Sequence, residues 1–166
     1  MKNLFKILIL SLFLYSCGDN LIEEVVDRYK DGKLKKVNYY KEVGDNQEKV
    51  KFRSFYKNGQ MKNEENYKDK KLDGKYLYYY ENGQISIDGN YKDGEEEGRW
   101  TRFYENGQVK YEGDWKDGWT FGLHIEYYEN GQIKREENHI TKGHWKITDF
   151  YENGQKEFEG SWKSRK

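Results

Sequence analysis

After Asn20 the chain alternates polar and apolar positions with a period of two, interrupted at regular intervals by Asn-Gly. The phrase Asn-Gly-Gln begins at Asn58, Asn82, Asn106, Asn130 and Asn153, at spacings of 24, 24, 24 and 23 residues, and a worn copy starts at Tyr29-Lys30-Asp31-Gly32. A fixed period of this length marks a tandem repeat. Asn-Gly between alternating residues predicts a β-hairpin with a type I′ turn, because both central residues of that turn need positive φ. Read outward from Asn106-Gly107, Tyr104 faces Val109, Arg102 faces Tyr111 and Trp100 faces Gly113. One face then collects Trp100, Tyr104, Val109, Tyr111 and Trp115, and the other Thr101, Phe103, Lys110, Glu112 and Asp114. The preceding hairpin places Tyr76, Tyr78, Tyr80, Ile85, Ile87 and Tyr91 on the same aromatic face. Polar connections from Lys68 to Gly74, from Lys92 to Gly98 and from Lys116 to Gly122 return the chain antiparallel. The expected fold is all-β: an elongated, single-layer twisted antiparallel meander of hairpin repeats. It should hold about six repeats and roughly twelve strands, about 60 Å long at ~4.8 Å per strand.

Composition supports this reading. There is no Pro and no Ala, the best helix former, against 17 Gly, 16 Tyr and 5 Trp. Thirty Lys and Arg balance thirty Asp and Glu, so the chain lacks the basic surplus that drives nucleic-acid binding. A single Cys excludes a disulfide framework and a Cys-rich metal site.

The first residues read as an address. Lys2 and Lys6 bracket the start of an apolar run, Ile7 to Leu14, too short to span a bilayer and the right length for a secretory signal. Leu14-Tyr15-Ser16-Cys17 resembles the lipobox of bacterial lipoproteins. The resemblance implies cleavage after residue 16, acylation at Cys17, a tether over residues 17–24 and a repeat domain over residues 25–166. Gly18, where an Asp would retain a lipoprotein in the inner membrane, implies an outer-membrane protein of the cell envelope. The membrane is then met through the lipid alone.

The unit Tyr104-Glu105-Asn106-Gly107-Gln108, repeated from Tyr29 to Trp162, resembles the bacterial variant of the MORN repeat, a family that includes antitoxin-type proteins. The resemblance implies an elongated antiparallel sheet that serves as a scaffold for protein partners, with a toxin as one such partner.

Candidate chemistry is sparse. Cys17 is consumed by the lipid, and His124, His139 and His144 form no nucleophile-base pair with a Ser. His139 stands where other repeats carry Tyr91 and Trp115 and so reads as a packed aromatic substitute, not a metal ligand. Glu95-Glu96-Glu97 reads as a solvated charge run. Glu105, Glu129 and Glu152, replicated from repeat to repeat, read as turn and cross-strand partners, since a catalytic carboxylate pair needs unlike environments. The expectation is a non-enzymatic protein without metal or cofactor. It would bind a protein partner through Trp100, Tyr104, Tyr111, Trp115 and Tyr128, because large aromatics dominate interface hot spots. An exposed aromatic face also admits an envelope carbohydrate. Trp119, Phe121, Arg135 and Trp145 break the repeat and are the candidates for partner specificity.

Overall fold

The computed structural model describes residues 21–141 and 143–163. Its strands are β1 (Ile22–Arg28), β2 (Leu34–Val43), β3 (Asn46–Phe55), β4 (Met61–Lys68), β5 (Lys71–Tyr79), β6 (Ile85–Lys92), β7 (Glu95–Glu96), β8 (Gly98–Phe103), β9 (Val109–Lys116), β10 (Trp119–Tyr127), β11 (Ile133–Thr141), β12 (His144–Phe150) and β13 (Lys156–Lys163). All belong to one open antiparallel sheet whose spatial order is the chain order, with β7 a two-residue spur on β6. The all-β meander expected from the sequence is what forms. The expected signal sequence and its acylated Cys17 lie outside the described residues. The sheet already includes Ile22, Glu23 and Glu24, which the sequence reading assigned to the tether.

The turns differ from expectation. At Asn106 the Gly107 N–H donates to the Tyr104 carbonyl (2.9 Å) and the Tyr104 N–H donates to the Gln108 carbonyl (2.8 Å), closing a three-residue loop. Asn106 is absent from the left-handed region, and only Gly107 has positive φ, at 86°. This is a type I turn followed by a left-handed Gly, not the type I′ turn predicted. The reason lies in the Asn side chain. Asn106 Oδ1 accepts the Gln108 N–H (2.9 Å), as Asn58, Asn82, Asn130 and Asn153 do for their own Gln, and this holds the Asn right-handed. Type I′ turns occur at the opposite strand ends, at Asp69-Lys70, Asp93-Gly94 and Asp117-Gly118, where both residues have positive φ.

The longer loop changes the register locally. Phe103 pairs with Val109, a bulge follows, and beyond it Arg102 faces Tyr111 and Trp100 faces Gly113 as expected. Tyr79 likewise pairs with Ile85 before Tyr78 meets Ile87. Val109 and Ile85 therefore lie on the face opposite Trp100 and Tyr76, contrary to the sequence reading.

What joins one hairpin to the next is also written in the repeat. Each turn Tyr donates its hydroxyl to the carbonyl just before the next turn Tyr: Tyr29 to Phe55 (2.9 Å), Tyr56 to Tyr79 (2.7 Å), Tyr80 to Phe103 (2.6 Å), Tyr104 to Tyr127 (2.7 Å) and Tyr128 to Phe150 (2.8 Å). Asn58 and Asn82 Nδ2 donate to the Glu81 and Glu105 carbonyls of the following turn. In the worn first copy Asp31 has no such donor, and Lys33 Nζ makes the bond, to the Lys57 carbonyl (3.2 Å). Tyr29 is thus a true sixth repeat.

Candidate binding surface

Because the side-chain period of a strand is two, the 24-residue repeat stacks like residues into columns across the sheet. On the aromatic face Tyr76, Trp100 and His124 occupy one column, flanked on neighbouring strands by Gly89 and Gly113. Tyr91, Trp115 and His139 occupy the next. Their rings form one continuous row. Trp100 lies 5.7 Å from Tyr76, 5.1 Å edge-on to Tyr91 and 6.2 Å from Trp115; Trp115 lies 4.8 Å from His124, His124 4.7 Å from His139, and Trp145 stacks on His139 at 6.1 Å. Gly is required beneath the largest rings for lack of room. A Cβ on Gly113 would stand 2.6 Å from Cγ and Cε1 of His124.

His124 is the histidine that occupies a tryptophan position. It is 1% exposed. Its Nε2 lies 3.0 Å from the Asp114 carbonyl, which can only accept, so Nε2 carries the proton and Nδ1 accepts the Tyr111 hydroxyl at 2.5 Å. Burial first, then the neighbouring His139, pushes the His124 pKa below the usual histidine value. Burial also raises the Tyr111 phenol to about 12. The pair is neutral and rigid, which suits packing and not proton transfer. His139, at the Tyr91 and Trp115 position, is the packed substitute expected. Among the described residues no three His, Cys, Asp or Glu side chains are grouped as a metal would need.

The opposite face is mixed. Arg53 with Glu64 (2.6 Å) and Arg99 with Glu112 (2.8 Å) are cross-strand ion pairs, so these carboxylates hold strands together.

The five residues read from the sequence as partner anchors are placed as follows. Trp100 is 5% exposed and sits at the centre of the aromatic row. Tyr104 and Tyr128 are turn tyrosines committed to the next repeat. Tyr111 is bonded to His124, and Trp115 is enclosed by Trp100, Tyr111 and His124. All five hold the array together, and the last four are half-buried.

One group of exposed large apolar side chains lies on β10 and β11. Trp119 (58% exposed), Phe121 (49%) and Ile140 (55%) border an open groove of about 920 Å³, completed by Thr120, Glu137, His139, Thr141, Gly143 and Trp145. In the preceding repeats the positions of Trp119 and Phe121 are Glu95 and Glu97, and that of Ile140 is Lys116. Three positions that carry charge in the preceding repeat, Glu95 and Lys116 exposed and Glu97 half-buried with its carboxylate accepting the Asp117 N–H (3.1 Å), therefore become large, apolar and exposed here. Trp119, Phe121 and Trp145 had been singled out as repeat-breaking residues; Ile140 had not, although the Lys92, Lys116, Ile140 series shows it. Arg135 does not join the groove, being held by Asp149 (2.6 Å).

Among curated proteins none matches the chain. The MORN repeat variant, however, matches residues 50–69, 72–93, 96–117 and 122–140, which together cover half of the chain in four tandem units, each spanning most of one hairpin and the connection that follows it. On that coverage, and with the turn ladder repeating from Tyr29 to Tyr128, the chain belongs to the MORN repeat variant family.

Proposed function

We propose that this protein is a non-enzymatic repeat scaffold, lipid-anchored through Cys17 at the cell envelope, that holds a protein partner in the groove bordered by Trp119, Phe121, Ile140 and Trp145. MORN repeats commonly serve as protein- or membrane-binding modules, which supports this reading. The observation that carries this reading is the replacement of exposed Glu95 and Lys116 and half-buried Glu97 by Trp119, Ile140 and Phe121, all three exposed. Exposed apolar residues grouped at positions that carry charge in the preceding repeat favour a binding surface. The groove also offers the large aromatic side chains that dominate hot spots. An antitoxin is the case in which the partner is a toxin, neutralised by coverage without chemistry.

The test restores the charges of the neighbouring repeat, Trp119→Glu with Phe121→Glu. Cross-linking in envelope preparations should capture one partner with the unaltered chain and lose it with the double variant, at unchanged circular dichroism. Equal capture by both chains removes the groove from the reading. Labelling with a fatty-acid analogue, absent from Cys17→Ala, tests the anchor. A toxic neighbouring gene product, lethal only when this protein is deleted, identifies the antitoxin case.

A further inference from the structure

Each interior repeat hands its turn Tyr and its aromatic rings to the repeat that follows, but the last one has no successor among the described residues. Tyr151, Phe158 and Trp162, the counterparts of Tyr128, Tyr111 and the Trp115 and His139 column, are 48%, 45% and 54% exposed. All lie on or beside β13, which among the described residues is hydrogen-bonded on one side only, to β12. From Phe158 to Lys163 that pairing is unbroken, so β13 presents a regular, open edge.

We propose that β13 pairs antiparallel with β13 of a second copy of this chain, about a twofold axis through Gly160, to form one continuous sheet. This inference rests on strand register and does not depend on the partner reading above. A twofold that joins two antiparallel edges in one sheet stands perpendicular to it, so like faces meet and the axis passes through a residue. Centring on Glu159 sets that carboxylate against its own copy. Centring on Ser161 leaves Trp162 opposite Gly160 and shortens the pairing. Centring on Gly160 sets Phe158 opposite Trp162 twice, Glu157 opposite Lys163 twice, and Glu159 opposite Ser161 twice. Aromatic meets aromatic and acid meets base, with no like charges opposed.

The other edge is built against this. β1 has register shifts between Val25 and Arg28, and pairing about Val25 would set Glu23 against Asp27. Among the described residues the regular edge is therefore that of β13 and not that of β1. One strand edge with two aromatic pairs is smaller than a standard interface, so the dimer is weak and dependent on concentration.

The test is sedimentation velocity of the full chain in mild detergent, with reductant present so that Cys17 cannot cross-link, over micromolar concentrations. A monomer–dimer equilibrium is expected. Lys163→Glu should weaken it about tenfold, by turning two ion pairs into two repulsions, and Glu157→Lys added to it should restore the original affinity. Trp162→Ala should weaken it without rescue. Circular dichroism of each variant should match the unaltered chain, since these residues are exposed. A chain that stays monomeric throughout, or a dimer indifferent to Lys163→Glu, overturns the proposal.

Discussion

Replacing Gly89 by Ala tests the packing logic of the aromatic row directly. A Cβ built on Gly89 stands no more than 2.5 Å from Cδ2, Cε3 and Cε2 of Trp100. Carbon atoms pack at about 3.5–4.0 Å, so the indole must retreat by roughly 1 Å. It has nowhere to go. Trp100 is 5% exposed, with Tyr91 edge-on at 5.1 Å and Tyr76 at 5.7 Å. Overpacking of this kind costs about 1–3 kcal/mol. Ala in a strand regains about 0.5–1 kcal/mol over Gly through the lower entropy of its unfolded chain. The net expectation is destabilisation by about 1–2 kcal/mol, a sign opposite to that of Gly→Ala in an ordinary strand. Trp100→Ala alone should cost about 3–5 kcal/mol. In that background nothing meets the new methyl group, and Gly89→Ala should become stabilising by about 0.5–1 kcal/mol. Urea unfolding of the four chains of this cycle, followed by far-ultraviolet circular dichroism, reads the coupling. The reasoning is refuted if Gly89→Ala is neutral or stabilising with Trp100 in place, or if its penalty is the same without Trp100.

Three further outcomes follow from the same geometry. Tyr80→Phe, which deletes the hydroxyl donated to the Phe103 carbonyl, should lower unfolding free energy by about 0.5–1.5 kcal/mol in urea titration, and no loss would show the ladder to be ornamental. Asn82→Asp keeps the acceptor for the Gln84 N–H but loses the donor to the Glu105 carbonyl, so it should cost about 1 kcal/mol. Adding Gln84→Lys, which copies the Asp31 and Lys33 pair of the first repeat, should recover part of that loss in the same titration. His124 is held neutral, with its folded pKa below the unfolded value of about 6.5, so its contribution is present above that pH and is lost as pH falls from there. The urea midpoint should therefore drop between pH 7.5 and 5.5, and a His124→Phe chain should lose that part of the slope.

The Asn-Gly-Gln period and the absence of Ala and Pro were enough to determine a meander of hairpin repeats, because a strand's side-chain period and the local chemistry of its turns are properties of the chain itself. The register beyond each turn was legible too: Trp100 opposite Gly113 and Arg102 opposite Tyr111 survive in the structure. The turn type was not. Asn106 tolerates positive φ, but its side chain accepts the Gln108 N–H, as the other turn Asn side chains do for their own Gln, and that bond held the three-residue loop and moved Val109 and Ile85 to the other face. The exposure of the candidate binding residues was the other thing the sequence left open. Aromatic identity pointed to Trp100, Tyr104, Tyr111, Trp115 and Tyr128, yet each of these packs against or bonds a neighbouring repeat. Only the assembled sheet shows that Trp119, Phe121 and Ile140 face solvent, because exposure depends on which strand lies alongside, and the sequence of one repeat does not contain that information.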